Sequence, residues 1–323
     1  MADRAGISPL MIRQAFVLGA GLGTRLRPLT DELPKPLLPI FQKPLITFAL
    51  DHLIAAGVQR FVINTHHLST HLETLFAEGS YRDHPVQLVH EPDLLETGGG
   101  IKNAERWLGQ EPFLVYSGDI LTDLNINKLV EEHAHRGNDV TLGLRQTGLA
   151  AGVILKDHRI VDIIIGPGRA GNLDYANVSV WNPSIFQKIP ATKKISFIPI
   201  LVEWIRAGGR IGGVALEEGQ WFNIGSRAEY LEVHRTIART HWKPEYVTDD
   251  DWPRARAKSA TIDPTARIEG YSVIGDECLV GADALLEDTI VWPGAQIASR
   301  SDLHGCIVRR QKKANGTHRN ADI

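Results

Sequence analysis

The chain has 323 residues, a formal net charge of −3 from 35 basic and 38 acidic residues, and 43% hydrophobic residues. This balance gives no reason to expect nucleic-acid binding, and the apolar runs are too short to cross a membrane. The two cysteines, Cys278 and Cys306, lie in no CxxC or Cys/His metal spacing. We expect a cytoplasmic protein with one large and one small domain.

The first two thirds of the chain alternate short apolar runs with amphipathic segments. The pattern predicts strands over 14–18, 60–64, 86–90 and 113–117, and helices over 44–56, 69–77 and 100–108. Such alternation predicts an α/β fold, with a Rossmann-like, mixed but mostly parallel sheet and helices on both faces. Because such sheets bind ligands outside the carboxyl ends of their strands, we expect the functional residues there.

The last part of the chain carries an internal repeat. Aliphatic residues recur every six positions, with one slip of a single residue: Ile262, Ile268, Ile274, Val280, Leu286, Val291, Ile297 and Leu303. This period predicts a short left-handed parallel β-helix of hexapeptide repeats, in which each apolar residue points into a triangular prism. The alternative is a meander of short strands.

Composition changes suggest the boundaries of five segments. These are a disordered extension over 1–11, the large α/β domain over 12–245, a linker over 246–260, the β-helix over 261–308 and a basic polar tail over 309–323. The tail carries Arg309, Arg310, Lys312 and Lys313, and a charge run of this kind is typical of a solvated terminus.

The first predicted strand leads into a glycine segment, LGAGLGTRLRPLT over 18–30, with PKP following over 34–36. Glycines after a strand let backbone N–H groups approach an anion. Thr24 stands where a GxGxxG dinucleotide motif needs glycine, and no Gly-Lys-Ser/Thr is present for a Walker loop. The guanidinium of Arg25 and the ammonium of Lys35 are suited to hold phosphates and to offset charge as a phosphoryl bond breaks.

This run resembles the signature of the sugar-1-phosphate nucleotidyltransferases, Gly-x-Gly-x-Arg-x-x-Pro-Leu-Thr followed by Pro-Lys-Pro, which residues 21–30 and 34–36 match. The resemblance covers nearly the whole chain, since many members also append a left-handed β-helix. It implies a Mg²⁺-dependent enzyme of EC 2.7.7 type that converts a nucleoside triphosphate and a sugar 1-phosphate into an NDP-sugar and pyrophosphate. The product would be a precursor of cell wall or polysaccharide.

The resemblance also implies roles for individual residues. The nucleotide would be bound by two glycine segments, namely Leu18, Gly19, Ala20, Gly21, Gly23 and Thr24, and Glu96, Gly98 and Gly99. The second segment precedes a helix that the pattern predicts from Ile101. Arg25 would contact the β- and γ-phosphates, and Lys35 the α-phosphate under attack.

The metal positions of the family fall on two residues. Asp119 follows the strand over 113–117, and a carboxylate at a strand's carboxyl end is well placed to hold Mg²⁺. Asn223 stands where many members carry a second aspartate, and its amide oxygen can still bind Mg²⁺, although more weakly. The resemblance therefore makes Arg25, Lys35 and Asp119 the catalytic residues and Asp119 and Asn223 the metal ligands.

The sugar-phosphate side departs from the family pattern. Gly152 and Asn177 match positions near the sugar, but the usual Glu-Lys-Pro is missing and Arg169 is the candidate replacement for its lysine. This absence, with Glu-Thr-Gly-Gly-Gly over 96–100, is similar to N-acetylmuramate-1-phosphate uridylyltransferases. The β-helix is instead similar to mannose-1-phosphate guanylyltransferases. A mannose-1-phosphate-like sugar with GTP, and an amino or N-acetyl sugar 1-phosphate with UTP, both stay open.

The sequence suggests two alternative functions. The first is a non-catalytic paralogue that binds a nucleotide sugar and regulates a partner, which the departures at Asn223 and Arg169 suggest. The second is a bifunctional enzyme with acetyl transfer in the β-helix, but residues 261–308 give too few coils for a coenzyme A groove. We expect the β-helix to mediate homo-oligomer contacts instead.

Overall fold

The computed structural model describes residues 11–147, 152–166, 171–191 and 193–323. The chain forms two compact units, the first from residues up to 22 with 48–221 and the second from 23–47 with 222–323. Among the helices that the structure describes, none combines the length and the apolarity that a bilayer crossing requires.

Up to residue 136 strands and helices broadly alternate as the sequence predicts, whereas four strands follow one another between residues 140 and 181 with no helix among the described residues there. The strands are β1 (Gln14–Leu18), β2 (Pro39–Ile40), β3 (Lys43–Pro44), β4 (Arg60–Thr65), β5 (Ser80–Tyr81), β6 (His84–His90), β7 (Phe113–Ser117), β8 (Ile120–Thr122), β9 (Val140–Arg145), β10 (Val153–Lys156), β11 (Arg159–Ile163), β12 (Asp174–Trp181), β13 (Ile211–Ala215) and β14 (Trp221–Asn223). The helices are α1 (Leu29–Glu32), α2 (Leu45–Ala55), α3 (Ser69–Leu75), α4 (Glu96–Asn103), α5 (Glu105–Leu108), α6 (Ile126–Arg136), α7 (Phe197–Arg206) and α8 (Arg227–Thr240). Single 3-10 turns cover Thr24–Leu26, Lys35–Leu37 and Pro183–Gln187.

The large sheet lies in the first unit. Within the described residues its strands run in the order β10-β11-β13-β9-β12-β7-β1-β4-β6-β5. The four neighbouring strands β6, β4, β1 and β7 are parallel, whereas β12 runs antiparallel to both β7 and β9 and β5 antiparallel to β6. The predicted α/β fold with a mixed sheet is therefore confirmed, and β1 and β7 have the predicted bounds.

The core of this unit lies between the sheet and the helices that cover it. Phe16 on β1, Val115 on β7 and Trp181 on β12 are fully buried and share one apolar cluster with Phe197 of α7. The rings of Trp181 and Phe197 meet edge to face, with centroids 5.3 Å apart. Strands covered on both faces need continuous apolar runs, which is why β1 and β7 could be predicted from the sequence.

Helix α4 begins earlier than predicted. The sequence predicts a helix over 100–108, but the structure starts α4 at Glu96, so that Gly98 and Gly99 also lie within the helix. Added β-carbons there would come within 2.8 Å of the Ile195 carbonyl oxygen and 2.4 Å of the Lys193 carbonyl oxygen. Glycine is a poor helix former, and this close backbone packing gives the reason for its use.

The second unit contains the β-helix. Its strands are β15 (Thr261–Ile262), β16 (Arg267–Glu269), β17 (Val273–Ile274), β18 (Leu279–Val280), β19 (Leu285–Glu287), β20 (Ile290–Val291), β21 (Gln296–Ile297), β22 (Asp302–His304), β23 (Ile307–Val308), β24 (Lys313–Ala314) and β25 (Thr317–Arg319). They stack in parallel as three faces, β15-β18-β21-β24, β16-β19-β22-β25 and β17-β20-β23. The predicted left-handed β-helix is confirmed, and the repeated aliphatic residues form or contact its core.

The basic segment over 309–323 is not the solvated tail that the sequence analysis predicts. Ala314 pairs with Ile297 and His318 with Leu303, so β24 and β25 form a further coil. The small side chain of Ala314 occupies the inward position, where a short residue fills the prism without an obvious repeat signal. Apart from Arg309, which is partly buried, the lysine and arginine side chains of this segment are exposed.

The predicted linker over 246–260 is also ordered. Trp252 is buried, and its Nε1–H donates to the Ile40 carbonyl oxygen at 3.0 Å. The N–H of Ala257 donates to the Ile274 carbonyl oxygen, which joins this segment to the first coil. Cys278 and Cys306 are reduced and buried in the β-helix core.

Candidate active site

The carboxyl ends of three strands meet at one edge of the first unit. Leu18, the last residue of β1, pairs with Asn64 of β4 on one side and Ser117 of β7 on the other. The N–H of Gly118 donates to the Leu18 carbonyl oxygen at 2.9 Å. Asp119 follows at once and is partly buried. The predicted loop and the predicted metal aspartate therefore lie beside each other, as expected for parallel strands.

A buried pair of side chains fixes the start of the loop. Asn64 Oδ1 accepts the N–H of Gly19 at 2.8 Å and the N–H of Ala20 at 3.3 Å. Its Nδ2 donates to Glu91 Oε1 at 2.8 Å, and Glu91 Oε2 accepts the N–H of Leu95 at 2.9 Å. Burial raises the pKa of Glu91 above its ordinary value. This network links the first glycine loop to the start of α4.

Gly21 and Gly23 of the first loop differ in their backbone conformation and in the space around them. Gly23 has φ +58°, and a β-carbon there would lie 2.7 Å from Thr30 Cγ2. Gly21 has no left-handed φ, and no described atom lies within 4 Å of the place its β-carbon would take. Gly23 is thus required by the fold, whereas open space at Gly21 leaves room for a ligand to approach the backbone.

The second glycine segment has a packing role in the structure. The N–H groups of Gly98 and Gly99 both donate to the Ile195 carbonyl oxygen, at 2.8 and 3.0 Å. A β-carbon at Gly100 would meet Asn64 Nδ2 and Glu91 Oε1, each at 2.8 Å. Exposed Glu96 precedes them with φ 61°. The N–H groups of Gly98 and Gly99 are therefore already hydrogen-bonded to the Ile195 carbonyl oxygen, and these bonds hold α4 in place.

The sugar-side candidates lie on β12 and beside it. Asn177 precedes Val178, which pairs with Tyr116 of β7, so Asn177 is next to the carboxyl end of that strand. Its φ of 65° falls at a bulge in the pairing of β12 with β9, and bulges of this kind re-aim side chains near sites. Gly152 is buried, and its carbonyl oxygen accepts the N–H of Ile164 at 2.7 Å. Arg169 lies outside the described residues.

The signature cations belong to the second unit. Thr30 Oγ1 donates to the Gly23 carbonyl oxygen at 2.8 Å, which closes the turn that carries exposed Thr24 and Arg25. Arg25 forms no ion pair with any residue in the described ranges, so its guanidinium keeps its donors for a ligand. This is the arrangement that an anion-binding arginine requires.

Lys35 opens a short 3-10 turn between two buried prolines. The N–H of Leu37 donates to the Pro34 carbonyl oxygen at 2.8 Å, and the N–H of Leu38 donates to the Lys35 carbonyl oxygen at 3.1 Å. Pro34 and Pro36 fix φ on both sides of the lysine, so its backbone direction is set before any ligand binds. Its side chain is half-buried.

Three side chains converge on Gly225, which follows β14. A β-carbon there would lie 2.9 Å from Arg25 Nη2, 3.1 Å from Asn223 Nδ2 and 3.1 Å from Glu229 Oε2. Glu229 Oε2 accepts the N–H of Gly225 at 2.9 Å, and Ser226 caps α8 by accepting the N–H of Glu229. The structure thus brings the predicted second metal residue, Asn223, beside the predicted phosphate arginine.

Asn64 and Glu91 are site residues that the sequence did not predict. Each is a polar residue at or directly after the carboxyl end of a predicted strand, which is the signal that identified Asp119. His66 adds to this region, since its Nδ1 lies 2.8 Å from the Glu91 carbonyl oxygen. In the described residues no group of three or more His, Cys, Asp or Glu side chains has the geometry of a metal site.

A family model described as nucleotidyl transferase matches residues 14–240 of the chain. The chain matches a mannose-1-phosphate guanylyltransferase of Mycobacterium tuberculosis at 26% identity over 92% of this chain and 83% of that protein. N-acetylmuramate alpha-1-phosphate uridylyltransferases of Neisseria meningitidis and Caulobacter vibrioides match at 32% and 33% identity, over 68% and 69% of this chain and 96% of each protein.

The chain belongs to the nucleotidyl transferase family and, within it, to the sugar-1-phosphate nucleotidyltransferases. The resemblance on which the sequence analysis depends is therefore confirmed, as is the class of enzyme.

Proposed function

We propose that this enzyme transfers the nucleoside monophosphate part of a nucleoside triphosphate to a sugar 1-phosphate by in-line displacement. An oxygen of the sugar phosphate forms a bond to the α-phosphorus, the bond from that phosphorus to the bridging oxygen of the β-phosphate breaks, and pyrophosphate leaves. Reactions of this kind need positioning and charge neutralisation rather than a protein nucleophile.

The observation that carries this proposal is the alignment of strand ends at Leu18, Asn64 and Ser117. It puts an open glycine backbone next to a carboxylate, Asp119, at the edge where α/β sheets bind ligands. The open space at Gly21 supports close approach of a nucleotide to that backbone. We therefore assign the base and ribose to Leu18, Gly19, Ala20 and Gly21.

The positive charges are assigned to the phosphates. Arg25 is exposed and forms no ion pair within the described residues, and half-buried Lys35 lies in a turn fixed by prolines. A guanidinium fork suits the terminal phosphate oxygens, and an ammonium suits the α-phosphate on which charge develops. Removing one such group from a site of this kind costs roughly a hundredfold or more in rate.

We propose that Asp119 and Asn223 serve as ligands of Mg²⁺. Both supply oxygen atoms, which this hard cation prefers, and Mg²⁺ sites in such enzymes are usually completed by substrate phosphates. The oxygen chemistry of each of these two side chains therefore suits the ion. When bound, Mg²⁺ would neutralise phosphate charge. The assignment of Asn223 is supported by its place beside Arg25 at Gly225.

Two substrate pairs remain candidates, each with its own support. The alignment with the guanylyltransferase relative extends over 92% of this chain, so it reaches into the β-helix, and this favours GTP with mannose 1-phosphate. The uridylyltransferase relatives are 32% and 33% identical over 68% and 69% of this chain, and this higher identity favours UTP with an N-acetyl or amino sugar 1-phosphate. Binding of the sugar phosphate by Gly152, Asn177 and Arg169 is part of the proposal in both cases.

The deciding experiment is a pyrophosphate-release assay with the purified chain. GTP, UTP, dTTP and CTP are each combined with mannose 1-phosphate, N-acetylmuramate 1-phosphate and glucose 1-phosphate, with and without Mg²⁺. We expect release that depends on both substrates and on Mg²⁺ for one pair. Nucleotide-sugar binding without release for every pair would favour the regulatory paralogue instead.

Two further expectations stay predictions. The first is a homo-oligomer with contacts through the β-helix, and the second is a location in the cytoplasm, where nucleoside triphosphates are available. Mass measurement in solution on the intact chain tests the first part. A monomeric mass would contradict it.

A further inference from the structure

The signature segment, defined here as residues 23–38, lies in the second unit together with the β-helix. It carries both cations that we assign to the phosphates, Arg25 and Lys35. Its two turns are closed by internal hydrogen bonds from Thr30 to Gly23 and from Leu37 to Pro34. These bonds fix the shape of each turn.

A charged contact ties the middle of the signature segment to the last coil of the β-helix. Helix α1 ends at Glu32, and Arg309 Nη1 lies 2.8 Å from Glu32 Oε1, while Lys312 Nζ lies 3.2 Å from the same oxygen. The side chains of Arg309 and Glu32 are only 18% and 29% exposed. Such shielding distinguishes this contact from a surface salt bridge, which contributes little.

Arg309 is itself held by two hydrogen bonds to residue 323. Its backbone N–H donates to the Ile323 carbonyl oxygen at 2.8 Å, and its Nε–H donates to the same oxygen at 3.2 Å. The neighbouring Asp322 pairs with Arg227 at the start of α8, at 2.6 Å. A guanidinium already fixed in this way loses little further freedom when it pairs with Glu32.

The chain just after the signature segment is held by neutral contacts. Tyr230 Oη donates to the Pro39 carbonyl oxygen at 2.7 Å, and Trp292 Nε1–H of the β-helix donates to Tyr230 Oη at 3.0 Å. Trp252 binds the Ile40 carbonyl oxygen in the same way. These buried bonds anchor residues 39–40, and the Arg309–Glu32 pair fixes the part that lies between the two cations.

We infer that Arg309 is a positioning residue for the phosphate cations, acting through Glu32. This inference rests on the proposed function of Arg25 and Lys35. It gives the basic C-terminal run a role in catalysis, because the last coil then sets where α1 and the turns on either side of it lie. Misplacement of reacting groups by about 1 Å costs on the order of a hundredfold in rate, so a modest shift of this segment should be measurable.

The test compares Arg309→Gln with Arg310→Gln. Arg310 is exposed and forms no ion pair with the described residues, so the second variant removes the same charge from the next position without touching Glu32. We expect R309Q to lower kcat/KM for the nucleoside triphosphate roughly tenfold, while R310Q stays within about twofold of the parent. Arg309→Lys keeps the charge and should recover part of the loss.

A double-mutant cycle with Glu32→Gln tests whether the two residues act as a pair. The E32Q/R309Q double variant should lose little more than the worse single variant, because each change already breaks the same contact. Additive losses would show that Arg309 acts by another route. E32Q also serves as the second test variant if R309Q does not fold, and thermal unfolding of each variant is measured beside its activity.

Hydrogen exchange separates this inference from the proposed function, because it needs no turnover. In R309Q the amides of residues 26–38 should exchange faster than in the parent, and in R310Q they should not. If turnover is normal and R309Q matches R310Q in kcat/KM and in exchange, the inference is wrong and the proposed function stands. If no substrate pair releases pyrophosphate, the proposed function is wrong, and exchange alone decides whether Arg309 holds the segment.

Discussion

Asn64 Nδ2 donates a 2.8 Å hydrogen bond to Glu91 Oε1, and both side chains are almost completely buried. The same asparagine accepts the N–H of Gly19 on its other side. The position of the first glycine loop therefore depends on a neutral amide lying against a buried carboxylate.

Replacing Asn64 with aspartate tests this dependence. The N64D variant puts two buried carboxylates in contact, and like charges at that distance repel or force one to bind a proton. We expect pyrophosphate release at pH 8 to fall about tenfold or more, with partial recovery as the pH is lowered. The matched control is N64D/E91Q, in which the new amide can donate to the new carboxylate and still accept from Leu95. Failure of this second change to restore activity would contradict the pairing.

The two loop glycines should respond differently to alanine. G23A forces a left-handed φ on a residue with a β-carbon and crowds Thr30, so we expect a loss of about 1–3 kcal/mol in the free energy of unfolding. G21A meets no described atom and should leave stability unchanged while raising KM for the triphosphate. Denaturant unfolding and steady-state kinetics on both variants check this. Unaltered kinetics in G21A would remove the argument for nucleotide contact at that backbone.

The phosphate and metal residues should be essential for turnover and dispensable for folding. Arg25→Ala, Lys35→Ala and Asp119→Ala should each lower kcat by roughly a hundredfold or more, since the first two remove a positive charge at the phosphates and the third removes a proposed ligand of Mg²⁺. Lys128→Ala, on the exposed face of α6, is the control for loss of a cation. Near-normal pyrophosphate release by K35A or D119A, with circular dichroism unchanged, would count decisively against the assignment.

Asn223→Asp should retain activity. The variant restores the carboxylate that many relatives carry, so it should also lower the Mg²⁺ concentration needed for half-maximal rate, because a charged ligand binds the cation more strongly. A magnesium titration of initial rates on parent and variant measures this. A folded variant without activity would contradict the metal assignment.

Stability should fall as the pH drops from about 6.5 to about 4. Burial lowers the pKa of both His52 and His234 to about 4. Below about pH 6.5 these histidines bind protons in the unfolded chain but not in the folded chain. The free energy of unfolding therefore decreases across this window, by about 3 kcal/mol per histidine. Neutral His234 accepts the N–H of Phe41 at Nε2, at 3.1 Å, and protonation would abolish that bond.

Denaturant unfolding at pH 7.5, 6 and 5 measures this dependence. His52→Gln and His234→Gln should each flatten the curve, whereas a slope unchanged by both would refute the prediction. The variants are needed because burial also raises the pKa of Glu91, which acts in the opposite direction on stability as the pH falls.

Part of the candidate site could be predicted from the sequence, because some backbone conformations require particular residue types. The glycines over 19–23, Lys35 between its prolines and Asp119 after an apolar run are each demanded by turn geometry or by the end of a buried strand. Asn64 and Glu91 were missed because a polar residue at a strand end has no distinctive pattern until its partner is known. The start of α4 was predicted too far along the chain. The carbonyl oxygens that require glycine there, at Lys193 and Ile195, are distant in the sequence.

Features that depend on local periodicity or on a short motif could be predicted from the sequence, namely strands such as β1 and β7, the six-residue repeat of the β-helix, and the signature that shows the family. Features that depend on contacts between distant residues became known from the folded structure. It put Asn64 between Gly19 and Glu91, brought Asn223 to Arg25 at Gly225, and folded the basic run at the C-terminus into a coil against Glu32. The spacing of hydrophobic residues is a local property that can be read from the sequence. These polar contacts form only after folding has brought residues that are distant in the chain together.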